Sequence, residues 1–379
     1  MAKSSYVANP AKIKVIGVGG GGCNAVTRMV REDIHGVEFI AMNTDAQALD
    51  ICEAQTCIQL GDKMTRGLGV GGDHNLGQRA AEESSDDLKE IVSGADMVFV
   101  TAGMGGGTGT GAAGVVAEIA KQSGALTIAV VTKPFVFEGN HRTQVADEGI
   151  ARLLGKVDTL IIIPNDRLLA LCDQKTGVDS AFRMADDVLR HGVQAIAEVI
   201  TTPGMINLDF ADVKAVMKDA GPAWMSIGRG SGQNRAADAA KEALASPLLD
   251  VSIDGSRAVL FNVVGGSNLT LFEVNQAADV IKNAVDPQAN IIFGVANEPG
   301  MDNEVRITLI TTGFTAKLGP AGTEEDDELT QLLRGMKNEE ELDVPSFLRR
   351  PLYNHRRQPV PPSGQAIRKV EEPSQTSLF

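Results

Sequence analysis

The residues best suited to chemistry form a stretch that contains only glycine and threonine, residues 105–111 with the sequence GGGTGTG. An apolar run at residues 97–100 predicts a buried strand before it, and residues 112–119 predict a helix after it. Glycines let backbone N–H groups approach a polyphosphate, and a helix N-terminus adds unpaired donors and partial positive charge. No Gly-Lys-Ser/Thr sequence follows, so this is not a Walker A loop. The stretch predicts a phosphate-binding loop, with a flexible glycine turn as the alternative. Its candidate contacts are Gly106, Gly107, Thr108 and Gly109.

A second glycine-rich stretch, residues 19–22, follows a predicted strand at residues 13–18, and we expect a helix to begin near Ala25. Gly17, Gly19 and Gly22 satisfy the GxGxxG fingerprint of dinucleotide-binding proteins. Asp45, which follows a predicted strand, has the position of a ribose-binding acid. A dehydrogenase is therefore the alternative enzyme class. The candidate nucleotide contacts on this loop are Gly20, Gly21, Gly22, Cys23 and Asn24.

A third glycine-rich loop, residues 67–73, adds Gly71 and Gly72 as candidate contacts, and the turn at residues 43–45 adds Asn43. The alternation of strands and helices predicts a doubly wound, mainly parallel α/β sheet. In the sheet order 3-2-1-4, the first and fourth strands are neighbours, so the loops that follow them should face each other. One such loop is enough for a nicotinamide cofactor. Three loops favour a nucleoside triphosphate with its metal ion, and hence a nucleoside triphosphatase.

Apolar periodicity organises the rest of the chain. Asp179 is a plausible N-cap for one long amphipathic helix that ends near Thr201 and can bridge two domains. One further helix is expected over residues 79–92, and a second, smaller α/β domain with a disordered tail follows the long helix. The predicted segments are an N-terminal extension (1–11), a nucleotide-binding domain (12–176), the central helix (177–201), the second domain (202–316), an acidic linker (317–342), a docking peptide (343–350) and a basic, proline-containing tail (351–379).

Composition limits the class of protein. The formal net charge of −14 argues against a nucleic-acid surface, which needs basic patches. The four cysteines lack the CxxC spacing of a zinc site, and their number fits a reducing cytoplasm. No run approaches the ~18 apolar residues of a membrane span, so direct membrane insertion is not expected.

Taken together, these motifs carry a resemblance to a known family. The stretches at residues 105–111, 19–22 and 43–45, together with Pro134-Phe135 and NLDFAD at residues 207–212, resemble the FtsZ family of bacterial cell-division proteins, within the tubulin/FtsZ group. The resemblance runs from about Ile13 to Gly313. It implies a GTPase that uses GTP, GDP and Mg²⁺ and polymerises head to tail into protofilaments. It also implies a cytoplasmic location at mid-cell, in the cytokinetic ring on the inner face of the membrane.

The residues suggest how such a site would choose guanine. Phe182 and Asp186 are four residues apart and share one face near the start of the long helix. An aromatic ring can stack on a purine, and a carboxylate can accept from guanine N1–H and N2–H. The alternative is a core phenylalanine and a solvated aspartate. By resemblance, Glu138 and Arg142 contact the ribose and phosphate side, and Asn165 lies near the base. Magnesium is expected on the phosphates, because no P-loop lysine can offset their charge.

Three polar residues follow the far end of the long helix: Asn207, Asp209 and Asp212. At 1.5 Å per residue, residues 176–201 would span ~39 Å, so these groups cannot easily reach the phosphates of their own subunit. They would act as catalytic residues only if a neighbouring subunit brought them over its γ-phosphate. Helix capping is the alternative role for them. A polymer whose nucleotide only regulates its shape is the alternative function.

The resemblance also assigns the tail. Residues 343–350 would dock to membrane tethers and division regulators, although in most of the family this peptide ends the chain, whereas here residues 351–379 follow it. Cys23 stands where the family usually has glycine or asparagine, which would leave a thiol beside the nucleotide. The docking residues are Asp343, Val344, Pro345, Phe347, Leu348, Arg349 and Arg350.

Overall fold

The computed structural model describes residues 11–169, 177–201, 209–246, 256–298 and 300–313, and every element below lies in those ranges. The strands are β1 (Ile13–Val18), β2 (Val37–Asn43), β3 (Thr56–Gln59), β4 (Met97–Gly103), β5 (Leu126–Lys133), β6 (Thr159–Pro164), β7 (Gly221–Ser231), β8 (Ala258–Gly265), β9 (Asn290–Asn297) and β10 (Glu304–Thr312). The helices are α1 (Gly19–Arg31), α2 (Ala46–Asp50), α3 (Asp62–Thr65), α4 (His74–Glu83), α5 (Ser85–Val92), α6 (Thr108–Gln122), α7 (Asn140–Leu154), α8 (Asn165–Leu169), α9 (Val178–Thr201), α10 (Phe210–Met217), α11 (Arg235–Leu244) and α12 (Leu271–Lys282). A short 3-10 turn covers Val136–Glu138.

The ten strands form one sheet in the order β3-β2-β1-β4-β5-β6-β7-β10-β8-β9. All pairings from β3 to β7 are parallel, β10 is antiparallel to both of its neighbours, and β8 pairs with β9 in parallel. Ile13 of β1 is in register with Val37 of β2 on one side and Met97 of β4 on the other. The predicted order 3-2-1-4 is confirmed, and the carboxyl ends of β1 and β4 lie side by side.

Helices cover both faces of the parallel strands, which explains why most residues of the central strands, such as β4 and β5, are apolar. On one face, α1, α9 and α10 bury residues such as Met29, Val193 and Met217 against the sheet. On the other face, α4, α5, α6 and α7 bury Leu88 and Val116 among their core residues. The doubly wound, mainly parallel α/β fold predicted from the sequence is therefore confirmed.

The long helix α9 is present, and its apolar stripe packs against the sheet. At Gly192, an added Cβ would come within 3.1 Å of both Met225 Sδ and Val130 Cγ1, so glycine allows the helix to approach β5 and β7 closely. The helix begins at Val178, one residue before the predicted cap. Asp179 is therefore not the N-cap but lies in the first turn, where its carboxylate pairs with Arg183.

The strands that follow α9 in the chain, β7 to β10, complete the sheet. A separate core cluster forms between α11, α12 and strands β8 and β10. The sequence analysis missed β7, whose sequence contains Pro222 and several glycines. A Cβ at Gly228 would lie 2.1 Å from the Ala239 carbonyl oxygen, so this strand needs glycine because α11 packs directly on it.

Two predicted helix boundaries were wrong. α1 begins at Gly19 rather than near Ala25, so the glycine-rich stretch is the first turn of the helix. The helix expected over residues 79–92 is two helices, α4 and α5, that meet at Ser84. Of the helices in the described ranges, none has the length and apolar character needed to cross a membrane. The proposed domain boundaries stay a prediction.

Candidate functional site

Three glycine-rich loops converge at the N-terminus of α6. A Cβ on Gly19 would lie 2.6 Å from the Gly109 nitrogen, so the loop after β1 contacts the loop after β4. A Cβ on Gly107 would lie 2.4 Å from Val70 Cγ2 and 3.0 Å from the Gly72 nitrogen, so the loop at residues 67–73 also contacts the loop after β4. The loops can approach this closely only because these positions carry no side chain.

Four glycines of these loops face open space instead. A Cβ at any of them would meet no protein atom within 4 Å, which leaves room for a ligand to approach the backbone. The N-cap of α6 is a glycine with no side-chain cap, so no capping side chain satisfies the first N–H groups of this helix. A helix N-terminus bordered by open glycines is a suitable cradle for an anion. These glycines are Gly20, Gly71, Gly72 and Gly106.

Buried hydroxyls line the same helix start. Thr44 Oγ1 and Thr108 Oγ1 lie 2.8 Å apart, which joins the turn after β2 to the first residue of α6. Asn43 holds that turn, because its Oδ1 accepts the Thr44 N–H at 2.9 Å. Thr110 Oγ1 accepts the Gly105 N–H at 3.0 Å and fixes the 105–111 loop from inside. The sequence analysis singled out Asn43 and Thr108 but missed Thr44.

The acid that favoured a dehydrogenase has another role. Asp45 is the N-cap of α2, and its Oδ1 accepts the N–H groups of Gln47 at 3.0 Å and Ala48 at 3.4 Å. A carboxylate used in this way stabilises its own helix. The dehydrogenase alternative therefore loses the residue that was expected to contact the ribose.

A pocket of about 520 Å³ lies between α1 and α9, along α1 from Cys23 to its end at Arg31. Because Gly20 belongs to the cradle and Asn24 to the pocket, α1 connects the two. Four residues predicted to bind the nucleotide line the pocket together: Cys23, Asn24, Phe182 and Asp186. The remaining lining residues are Thr27, Arg28, Arg31, Glu32, Ala48, Ile51, Cys52, Asp179, Arg183 and Asp187.

Asp186 is more buried than the other aspartates that line this pocket, Asp179 and Asp187. Arg28 Nε donates to Asp186 Oδ2 at 3.1 Å, and Arg28 Nη1 lies 3.7 Å from Asp187. Burial raises the pKa of Asp186 to about 6, although Arg28 acts in the opposite direction. The carboxylate is ionised at neutral pH and is therefore an acceptor.

Aromatic rings form the wall around Phe182. Its ring is about 41% exposed and packs edge-on against Phe135, with centroids 5.5 Å apart. Phe137 stacks on Phe135 at 4.9 Å and completes a group of three rings. This arrangement holds Phe182 in place while leaving part of its ring open for stacking.

Glu138 and Arg142 are already paired with each other. Arg142 Nη1 donates to Glu138 Oε2 at 2.6 Å, and Glu138 Oε1 accepts the Phe135 N–H at 2.9 Å. The Glu138 side chain is largely buried and Arg142 is exposed. Arg142 also adjoins the phosphate cradle, because a Cβ at Gly105 would lie 2.8 Å from its carbonyl oxygen.

Asn165, the first residue of α8, has an unpaired buried atom. Its Oδ1 is buried and has no hydrogen-bond partner among the described residues. A buried acceptor left unpaired costs about 1–3 kcal/mol, so a donor from a ligand would be favourable here. Asn165 does not line the pocket between α1 and α9.

The predicted catalytic acids lie apart from the cradle and the pocket. Asp209 holds the N-cap position of α10 without a side-chain capping bond, and Asp212 lies in the first turn. Both are exposed, and in the described ranges neither makes an ion pair. The alternative interpretation is therefore met in position, with Asp209 at the N-cap and Asp212 in the first turn, but without a side-chain capping bond. From Phe182 to the end of α9 the helix rises about 29 Å, so these acids and the pocket are at opposite ends of α9. Asn207 and the docking residues 343–350 lie outside the described residues.

The pocket residues that the sequence analysis missed include Arg28 and Cys52. Arg28 follows Asn24 by four residues, so helical spacing alone places both on one face of α1. Cys52 follows α2, and no local sequence pattern predicts that it lies near the pocket. Only the fold brings it beside α1.

Comparison with known families gives two matches. Residues 12–173 match the Tubulin/FtsZ family, GTPase domain, and residues 221–315 match the FtsZ family, C-terminal domain. Together these matches include the glycine-rich loops and the strands β8 to β10.

Solved structures give the same result. An empty FtsZ dimer from M. jannaschii is 46% identical over 81% of this chain and 89% of that chain, with a TM-score of 0.79. The GDP-bound monomer of CetZ1 from Haloferax volcanii is 20% identical, covers 86% of this chain and 99% of that chain, and has a TM-score of 0.71. The GTPγS-bound CetZ2 protofilament from the same organism is 18% identical, covers 88% and 100%, and has a TM-score of 0.69. The two CetZ structures show similarity of fold alone.

Proposed function

We propose that this chain, which belongs to the tubulin/FtsZ family of GTPases, binds and hydrolyses GTP. It would act as a cytoskeletal protein that polymerises head to tail into protofilaments. The observation that carries the proposal is the convergence of three glycine-rich loops on the uncapped N-terminus of α6. Backbone N–H groups there suit the phosphates, and the pocket between α1 and α9 suits the base.

Guanine is the base that fits the pocket best. Its N1–H and N2–H donors match the ionised Asp186, and its ring can stack on the exposed part of Phe182. Adenine offers no such pair of donors. The unpaired Oδ1 of Asn165 offers a further acceptor for the nucleotide.

Magnesium would be held chiefly by the phosphates. In the described ranges, no group of three His, Cys, Asp or Glu side chains is arranged to hold a metal ion. The hydroxyls of Thr44 and Thr108 lie at the start of α6, where a phosphate-bound cation could contact oxygen ligands. The ion would neutralise charge on the phosphates during transfer.

Hydrolysis would take place between subunits. Asp209 and Asp212 are exposed and unpaired at the far end of α9, so a second copy stacked head to tail would bring them over the γ-phosphate of the first. One of them would polarise the attacking water or hold its cation, and Asn207 would assist. Such a contact is heterologous and does not close, which produces a filament. The FtsZ dimer and the CetZ2 protofilament among the similar structures support self-association.

The filament would form the cytokinetic ring at the division site, on the cytoplasmic face of the membrane. Residues 343–350 would dock there to tethers and regulators through Pro345, Phe347 and Leu348. Truncation before Asp343 should leave GTP hydrolysis and polymerisation intact in vitro while ring placement in cells is lost. Normal localisation of the truncated protein would place the docking segment elsewhere.

The decisive experiment measures the specific GTPase rate against protein concentration. The rate per molecule should be near zero in the dilute limit and rise above a threshold concentration, because the site needs two subunits. A rate that stays constant on dilution would mean that each subunit carries a complete site. A nucleotide titration tests the choice of base. Equal affinity for ATP and GTP would contradict the guanine site, and tight NADH binding would favour the dehydrogenase alternative.

A further inference from the structure

Three cysteines lie close together at one side of the pocket between α1 and α9. Cys23 is buried in the first turns of α1, Cys52 is half-buried in the segment after α2, and Cys57 is exposed on β3. Cys23 and Cys52 line the pocket, whereas Cys57 does not. The nucleotide site described above gives no role to Cys52 or Cys57.

Backbone and side-chain contacts hold Cys52 beside Cys23. Cys52 Sγ lies 3.6 Å from the Cys23 carbonyl oxygen. Thr27 Oγ1 donates to that same carbonyl at 3.0 Å and lies 3.3 Å from Cys52 Sγ. Cys23 also packs with Leu49 in a small apolar cluster, against which Cys52 rests. The two thiols are therefore neighbours on two different elements, α1 and the segment after α2.

The two thiols differ in acidity. Interaction with the Cys23 thiol is the largest cause that lowers the pKa of Cys52 to about 5, while burial acts against it and Thr27 assists. The pKa of Cys23 is raised, first by this interaction with Cys52 and then by burial. A thiolate is the nucleophilic form of cysteine, and Cys52 is also more exposed than the buried Cys23, so Cys52 is the reactive partner.

We propose that Cys52 is a peroxide-reactive site, and that Cys23 resolves the oxidised form to give a disulfide in the wall of the nucleotide pocket. The Cys52 thiolate attacks hydrogen peroxide, the O–O bond breaks, hydroxide leaves and the sulfur becomes a sulfenic acid. The Cys23 thiol then attacks the Cys52 sulfur, the S–O bond breaks, and the leaving hydroxide takes the Cys23 proton to form water. Two thiols lose two electrons in total, and one peroxide with two protons becomes two waters.

Cys23 is a better resolving thiol than its raised pKa suggests. The largest cause of that shift is the neighbouring Cys52, and the negative charge of the Cys52 thiolate disappears once its sulfur carries a hydroxyl. The segment between the end of α2 at Asp50 and the start of β3 at Thr56 belongs to no helix or strand. Its Glu53 N–H donates to Thr27 Oγ1 at 3.4 Å and its Glu53 carboxylate pairs with Arg31, so α1 already holds Cys52 close to Cys23.

The effect on the nucleotide rests on the proposed function. Cys23 precedes Asn24 in α1, and both cysteines line the pocket on the side of α1 and α2, whereas Phe182 and Asp186 line it from α9. Drawing Cys52 against α1 would change the shape of the pocket on that side, so oxidation should weaken guanine nucleotide binding. Conversely, a bound nucleotide should shield Cys52. Cys57 lies outside the pocket and is an internal control in the same chain.

The test uses the full-length, nucleotide-free protein. Peroxide treatment followed by mass spectrometry of unreduced peptides should give a Cys23–Cys52 link, which remains in Cys57→Ser and Cys172→Ser variants. Excess GDP should slow alkylation of Cys52 without slowing that of Cys57. Affinity for a fluorescent GDP analogue should fall by about tenfold on oxidation, equivalent to the loss of one or two hydrogen bonds, and recover with a thiol reductant.

Several results would overturn the proposal. A Cys52–Cys57 or Cys52–Cys172 link, or oxidation of Cys52 beyond sulfenic acid with no disulfide, would remove Cys23 as the resolving thiol. A Cys23–Cys52 link that leaves nucleotide affinity unchanged would remove the effect on binding. Failure of the reduced protein to bind GDP would instead contradict the proposed function, while the disulfide mapping would still decide the reactive site.

Discussion

Arg28 Nε lies 3.1 Å from Asp186 Oδ2, so the carboxylate expected to receive guanine already holds a guanidinium group from α1. The pair occupies one carboxylate oxygen and leaves Oδ1 for a base. Despite this partner, burial keeps the pKa of Asp186 raised to about 6. Ionisation of Asp186 therefore lowers the stability of the folded protein. We infer that an aspartate is nevertheless present at this position because it recognises the nucleotide.

The first prediction concerns this cost. Between its ordinary pKa of 3.8 and about 6, Asp186 binds more protons in the folded state than in the unfolded state, so its ionisation at higher pH lowers stability. Raising that pKa from 3.8 to about 6 corresponds to about 3 kcal/mol, and a neutral variant loses part of this gain because Arg28 keeps only its longer contact with Asp187, at 3.7 Å. Asp186→Asn should stabilise the protein by about 1–2 kcal/mol at pH 7.5 and weaken GTP binding. Denaturant unfolding and nucleotide titration measure both effects.

Asp187→Asn is the matched control, because Asp187 is adjacent, more exposed and also near Arg28. It should change neither quantity by much. A destabilised Asp186→Asn variant would mean that the ion pair with Arg28 outweighs the burial of the charge.

The second prediction is the pH dependence of GTP binding. Only the ionised Asp186 accepts from guanine N1–H and N2–H, and Arg28 and Asp187 are the charged groups that act on it. With a pKa of about 6, the ionised fraction falls by about tenfold between pH 7.5 and pH 5, and affinity should fall with it. In Asp186→Asn, the affinity should be low and nearly constant across this range. The same slope in both proteins would assign the titration to another group.

The third prediction separates the two kinds of glycine at the cradle. At Gly106 a Cβ meets no protein atom within 4 Å, so Gly106→Ala should keep or slightly raise the thermal midpoint, by reducing the freedom of the unfolded chain. The added methyl would occupy the space expected for a phosphate, and GTP affinity should fall by about tenfold or more. Thermal unfolding and nucleotide titration measure the two effects.

Two further glycines serve as controls for that substitution. Gly155 also faces open space but lies at the end of α7, so Gly155→Ala should keep or slightly raise the thermal midpoint, as Gly106→Ala does, and leave GTP affinity unchanged. Gly107→Ala should lower the thermal midpoint, because its Cβ would meet Val70 at 2.4 Å. Unchanged GTP affinity in Gly106→Ala would exclude this loop as the phosphate cradle.

The features that the sequence predicts well are those set by local pattern. Parallel strands buried on both faces read as apolar runs, and the glycine-rich loops between strand and helix were recognisable as such. The stripe of α9 follows from three- and four-residue spacing, as far as Thr201. These elements also fixed the order of the first four strands, and with it the convergence of the loops.

Features set by tertiary packing were missed. Glycine is a poor helix former, so α1 was expected to begin near Ala25. It begins at Gly19, and glycine is required within its first turns where α1 packs on β4: a Cβ at Gly22 would lie 2.5 Å from the Thr101 carbonyl oxygen. The Arg28–Asp186 pair joins residues 158 positions apart, and no local pattern predicts such a contact.

The last prediction addresses the two acids beyond α9. Asp212→Ala should keep GTP affinity, because Asp212 lies at the opposite end of α9 from the pocket, and should lower turnover by about 10²- to 10⁴-fold, the range for a positioned acid or base. Folding should be little affected, because Asp212 is exposed and makes no ion pair in the described ranges. Steady-state phosphate release and GTP titration measure the two quantities.

A mixing experiment tests whether that acid acts across subunits. Gly106→Ala supplies subunits with impaired GTP binding and an intact Asp212, whereas Asp212→Ala supplies subunits that bind GTP without the acid. Where the first subunit stacks on the second, an intact acid meets a bound GTP, so the mixture should hydrolyse GTP faster than the sum of its separate components. Asp238→Ala, an exposed acid on α11, is the control and should keep wild-type turnover. A mixture no faster than that sum would mean that Asp212 acts within its own subunit or that its loss impairs assembly, and sedimentation of the Asp212→Ala polymer would separate these two cases.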